Sequence, residues 1–101
     1  MHLIEILLPL FDNEGTPIES QEFTRVVHEL TREFGGLTAF TREPAEGRWK
    51  KDAETQRDQI VIFEVMTEAI DRSWWVGYRE KLQVRFRQEV VVIRAQEVAR
   101  L

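Results

Sequence analysis

Apolar residues recur along the chain with two periods, and the switches between them mark six elements. In "HLIEILLPL" (2 to 10) both alternations are apolar apart from Glu5. That predicts a strand covered on both sides. "FDNEGTP" follows and is turn chemistry, rich in Asp, Asn, Gly and Pro. In "SQEFTRVVHELTREFGG", Phe23, Val26, Val27, Leu30 and Phe34 fall at i, i+3, i+4, i+7 and i+11, one apolar stripe of a helix. Ser20 is its expected N-cap, and Gly35 suits the left-handed position past its end. "LTAFTR" (37 to 42) is a short β-prone run, and "QIVIFEVM" (59 to 66) is a second doubly apolar strand, broken by Glu64. "IDRSWWVGYREKLQVRFRQ" (70 to 88) predicts a second helix, capped by Asp71, with Trp75, Tyr78, Leu82 and Phe86 as its stripe. Gly77 inside it costs about 1 kcal/mol relative to alanine, so a close packing contact is expected there. "EVVVIRAQEV" (89 to 98) is the last strand.

The order β-α-β-β-α-β predicts an α+β fold. It is the ferredoxin-like plait, a four-stranded antiparallel sheet of order 4-1-3-2 with two helices on one face, in a single domain over 1 to 101. Parity then divides each strand. Ile4, Ile6 and Leu8, with Val61, Phe63 and Val65, Val91, Ile93 and Ala95, and Leu37 and Ala39, are expected to meet the helices. Leu3, Glu5, Leu7, Ile60, Ile62, Glu64, Met66, Val90, Val92, Arg94, Thr38, Phe40 and Arg42 fall on the opposite face. That face is too apolar to lie open in water, so a cover is expected. Two covers offer themselves. One is the same face of a second subunit, giving a homodimer. The other is the charged segment "PAEGRWKKDAETQRD", a flap anchored by its lone tryptophan, Trp49.

Composition narrows the functions. At 101 residues, 43% hydrophobic and 32% charged, the chain is globular in type. It has no cysteine, which excludes disulfides, thiolate metal sites and a cysteine nucleophile. "HLIEILLPL" lacks a basic region before it and carries Glu5, so it reads as a strand rather than a signal peptide. No apolar run reaches the roughly 20 residues of a membrane span. The expectation is a cytoplasmic protein with no membrane association. A net charge of -4 argues against nucleic-acid binding, which needs a basic face. The charge is uneven, though. Arg72, Arg79, Lys81, Arg85 and Arg87 all belong to the second helical segment.

Candidate chemistry centres on charges placed where apolar residues are expected. Strand order 4-1-3-2 brings Arg94, Glu5 and Glu64 onto adjacent strands and one face, with Arg42 a candidate to complete the row. Charges on an apolar face are costly unless paired. They read either as ion pairs fixing register or joining subunits, or as a small polar site. In the site reading Glu5 or Glu64 is the general base, with pKa raised, and Arg94 or Arg42 holds an anionic group. Trp49 and Trp74 are further ligand-binding candidates, Trp74 because it lies about 100° off the stripe of Trp75. His2 and His28 do not form a metal pair, and no phosphate loop, dinucleotide fingerprint or zinc motif is present. No metal or cofactor is expected.

The run "EFGGLTAFTREPAEGRWKKD", with "IVIFEVM" and "DRSWWVGYREKL" after it, resembles a family of short uncharacterised bacterial proteins that join a G-G-x-T turn to a later G-x-W. The resemblance spans the chain from the first strand to "RFRQEVVVIRA". It implies the ferredoxin-like plait and, by analogy, a dimeric α+β barrel, and it transfers no catalytic residue. Plaits of this kind include monooxygenases, isomerases, heme-degrading enzymes, regulators and inert modules, so fold does not choose among them. Three readings follow. The first is a homodimeric module for a small-molecule ligand or for interaction. The second is a cofactor-free enzyme of isomerase or monooxygenase type. The third is a structural protein docking another chain.

Overall fold

The structure, a computed structural model, describes residues 1–36, 38–42 and 59–101, with 39–42 described by their backbone. The elements are β1 (His2–Pro9), α1 (Ser20–Phe34), β2 (Thr38–Arg42), β3 (Ile60–Thr67), α2 (Arg72–Arg85) and β4 (Val92–Glu97). β1 lies between β3 and β4 and is antiparallel to both. β2 runs antiparallel along the outer side of β3, so the order across the sheet is β2-β3-β1-β4.

The expected ferredoxin-like plait on a four-stranded antiparallel sheet of order 4-1-3-2 is corrected in what builds the core: β2 keeps its place in the strand order, but the described core rests on three strands. The sheet that carries the described core is three-stranded and antiparallel, β3-β1-β4, and with the two helices it runs β-α-β-α-β. β2 is a five-residue ladder on the outer edge of β3. The reason lies in lengths and side chains. β1 and β3 span eight residues each and direct Ile4, Ile6, Leu8, Phe63 and Val65 into the core. "TAFTR" has no such apolar run. The expected core contribution of Leu37 and Ala39, like the Trp49 flap, falls outside the described residues.

Both helices close over one face of this sheet. α1 supplies Val26 and Leu30, and α2 supplies Trp75, Tyr78 and Leu82, with Phe86 just past its end. Burying each such side chain fully contributes roughly 1.5–3 kcal/mol, so this cluster is the main source of stability. The edge strand β4 is thinner than parity suggests. Val91 is 1% exposed, Ile93 is half-buried, and Ala95 is exposed.

Local signals act at the helix ends with one exchange of roles. Asp71 caps α2, its carboxylate accepting from Trp74 N–H at 3.1 Å. Gly35 takes φ +83° and donates to the Thr31 carbonyl at 2.8 Å, the left-handed stop that glycine permits. Ser20 is not the N-cap of α1. Glu19 holds that position without a side-chain bond, and Ser20 is the first helical residue. Gly77 is not at a close contact either. A Cβ there would meet nothing within 4 Å.

Candidate functional site

The face of the sheet away from the helices carries one polar row. Glu5 stands directly across from Glu64 on β3 and from Arg94 on β4, and Thr38 on β2 stands across from Glu64. Paired strands lie about 4.8 Å apart. The sequence across the sheet is therefore Thr38, Glu64, Glu5, Arg94. Arg94 Nε donates to Glu5 Oε1 at 2.8 Å. β1 is positioned for this because period 2 sends Ile4 and Ile6 into the core and leaves Glu5 on the other side.

Glu64 is the electrostatically unusual member. Its carboxyl is held above the ordinary glutamate value of 4.5, first by burial and then by hydrogen bonding and charge repulsion from Glu5. Glu5 is turned toward Arg94, so Glu64 has a neighbouring carboxylate and no cation of its own among the described residues. A proton on Glu64 relieves this, because the acid then donates to Glu5.

Apolar side chains surround the row. Ile62 is 1% exposed, although it lies outside the helix-side cluster, and Leu3 and Leu7 are half-buried. Met66 and Val92 are 53% and 47% exposed. Two shallow cavities flank the charges. One of about 540 Å³ is lined by Leu3, Thr38, Glu64, Met66 and Arg100 among others. The other, of about 420 Å³, is lined by Glu5, Arg94, Ala95 and Gln96. Arg100 was not singled out from the sequence, because it follows the last strand in a stretch with no periodic signal. Val98 N–H donates to the Met1 carbonyl at 2.9 Å, which carries this segment back along β1.

Two other candidates do not join the row. Arg42 pairs with Ile60, four positions along β3 from Glu64, so register removes it to the far end of the sheet, about 13 Å away at 3.3 Å per residue. Trp74 belongs to the helix side. It meets Phe34 and Trp75 edge-on at 5.2 and 4.7 Å and stacks on Tyr78 at 4.9 Å. It lines a separate cavity of about 380 Å³ with Phe34, Glu68 and Asp71 among others. Trp49 lies outside the described residues.

A second charged cluster, not anticipated from the sequence, joins the helices. Arg85 of α2 donates from both terminal nitrogens to Glu29 of α1, at 2.7 and 2.9 Å. Tyr78 Oη donates to the same carboxylate at 2.9 Å. The Arg85 hydrogen bond, with help from Tyr78, holds Glu29 below the ordinary glutamate range, while burial and the Glu29 charge push the Tyr78 phenol up. Both terminal nitrogens of Arg85, both oxygens of Glu29 and the Tyr78 hydroxyl are engaged, so the clamp fastens α1 to α2. Among the described residues no group of three or more His, Asp or Glu side chains is placed to hold a metal ion. No described helix is long and apolar enough to cross a membrane.

The chain matches no protein-family model, no curated protein and no solved structure. Any functional reading therefore rests on its own residues.

Proposed function

We propose that this chain acts in the cytoplasm as a homodimeric small-ligand-binding module, with the open sheet face as both interface and site. The observation that carries the reading is the Glu64–Glu5–Arg94 row set among exposed and half-exposed apolar side chains. Water is a poor neighbour for Met66 and Val92, and an apolar cover is a poor neighbour for an unbalanced charge. A second copy satisfies both. Two sheets stacked about an axis parallel to the strands place Arg94 over the partner's Glu64, because that rotation reverses the row. The ligand lies between the faces, with Arg94 available to an anionic group. Native mass spectrometry at gentle and then harsh activation tests this. A dimer that retains a stoichiometric small mass supports the whole reading, and a bare dimer supports the assembly alone. A monomer without adduct refutes it.

One observation favours a second reading, a cofactor-free enzyme of isomerase type. Glu64 lies beside a cavity and holds its proton more tightly than an ordinary glutamate, which suits a carboxylate that takes and returns a proton. Once a retained ligand is identified, turnover of that compound by wild type and its loss in Glu64→Gln decide between binding and catalysis.

A further inference from the structure

The five basic side chains of the second helical segment do not share one fate. Arg85 is committed to Glu29, and Arg87 Nε donates to Asp12 Oδ2 at 2.9 Å. Lys81 lies near enough to Glu29 to help lower its pKa. Arg72 and Arg79 remain, with no ion pair or hydrogen bond among the described residues. Both line the same cavity, of about 440 Å³, between α2 and the edge strand β4. Its apolar wall faces the helix side of the sheet, and Arg94, whose Nε is committed to Glu5, lines its edge.

The cavity follows from how α2 packs. Arg72, Trp75, Val76 and Arg79 stand at i, i+3, i+4 and i+7, so they form one strip of the helix surface. Trp75 enters the core at 7% exposure, whereas Val76 stays 44% exposed because β4 does not reach it. From the sheet, Ile93 adds a half-buried apolar wall. His2 lines the same space, and its Nδ1 is buried without a hydrogen-bond partner. A buried ring nitrogen without a partner is uncommon in a folded protein. One acid, Glu97, also lines the cavity and stands across from His2 in the β1–β4 pairing.

We infer that this groove binds a small amphipathic anion, a carboxylate or sulfonate on an apolar body. Arg72, Arg79 and His2 Nδ1 supply the charge and the hydrogen bond. Trp75, Val76 and Ile93 supply the apolar wall. Two uncommitted guanidinium groups beside exposed valine match neither a neutral hydrocarbon nor a free inorganic ion as well as they match a molecule with both parts. The volume falls in the range of small-molecule sites, about 300–1,000 Å³.

The probe is 8-anilinonaphthalene-1-sulfonate, which joins a sulfonate to an apolar body, followed by its fluorescence on titration into the full chain. Its neutral analogue N-phenyl-1-naphthylamine is titrated beside it. Wild type is expected to bind the sulfonate with saturable one-to-one stoichiometry and at least tenfold more tightly than the neutral analogue. Arg72→Ala with Arg79→Ala is expected to weaken sulfonate binding about tenfold or more and leave the neutral analogue unchanged. Arg72→Lys with Arg79→Lys retains most of the binding. Arg72 is exposed and Arg79 half-buried on the helix surface, so the variants fold, which their circular dichroism verifies. His2→Ala is the second variant and weakens the sulfonate severalfold. No saturable binding by wild type overturns the proposal. So does binding that Arg72→Ala with Arg79→Ala leaves intact, which would put the dye on the open sheet face instead.

Discussion

Breaking the helix clamp should cost far more than deleting it. In Glu29→Met, Arg85 keeps its place with a side chain only 7% exposed and loses both hydrogen bonds, and the Tyr78 hydroxyl loses its acceptor. Leaving one partner of a fully buried pair alone costs about 3–5 kcal/mol. The Glu29 side chain is 29% exposed, so water reaches this pair and the figure drops to about 2–3 kcal/mol. With a urea m-value of about 2 kcal/mol per molar, the unfolding midpoint falls by about 1 M. The triple variant Glu29→Met, Arg85→Met, Tyr78→Phe removes every polar atom of the cluster and leaves no charge stranded. It should unfold within about 1 kcal/mol of wild type, because apolar replacement of a buried ion pair is often neutral or better. Urea unfolding followed by circular dichroism, with wild type, single and triple variants at one protein concentration, measures both quantities. A single variant costing under about 0.5 kcal/mol, or a triple variant as unstable as the single, would refute the stranded-charge argument.

The raised pKa of Glu64 gives a pH signature. The native state holds this proton more tightly than the unfolded chain, so the stability that Glu64 contributes falls as pH rises above the ordinary value of 4.5 and levels off once the native group has also titrated. Glu64→Gln should therefore equal wild type at low pH and exceed it increasingly from about pH 4.5 upward, in the difference between their unfolding midpoints. A difference that stays constant with pH would count against the Glu5–Glu64 coupling. If the row joins two copies, Glu64→Arg and Arg94→Glu should each give monomer by sedimentation velocity, and the two together should restore the dimer. A double variant that stays monomeric would sink that arrangement. Gly77→Ala should raise stability by about 0.5–1 kcal/mol, because the position is helical and a Cβ meets open space. A lower melting temperature would show that the glycine has a packing role after all.

Several features were legible because they depend on local periodicity. Alternation in "LIEILL" and "IVIFEV" is enough to place Ile4, Ile6, Phe63 and Val65 on one face and Glu5 and Glu64 on the other, since successive strand residues must point to opposite sides. The stop at Gly35 and the cap at Asp71 depend on a few adjacent residues. Register was not legible for β2. "TAFTR" slides along β3 without losing an apolar face, so only the ladder itself shows that Thr38, not Arg42, stands opposite Glu64.

Charge pairing was decided by tertiary structure alone. With 18 acidic and 14 basic side chains, periodicity cannot say that Glu29 meets Arg85 across 56 positions while Arg72 and Arg79 meet no acid among the described residues. The way α1 and α2 pack on the sheet makes that choice. The sequence by itself determined which side of each element is apolar, because that follows from the geometry of single strands and helices. Which charges are paired, which are left unpaired among the described residues, and where the sheet narrows to an exposed edge were settled only when those elements were brought together, because each depends on distances between residues far apart in the chain.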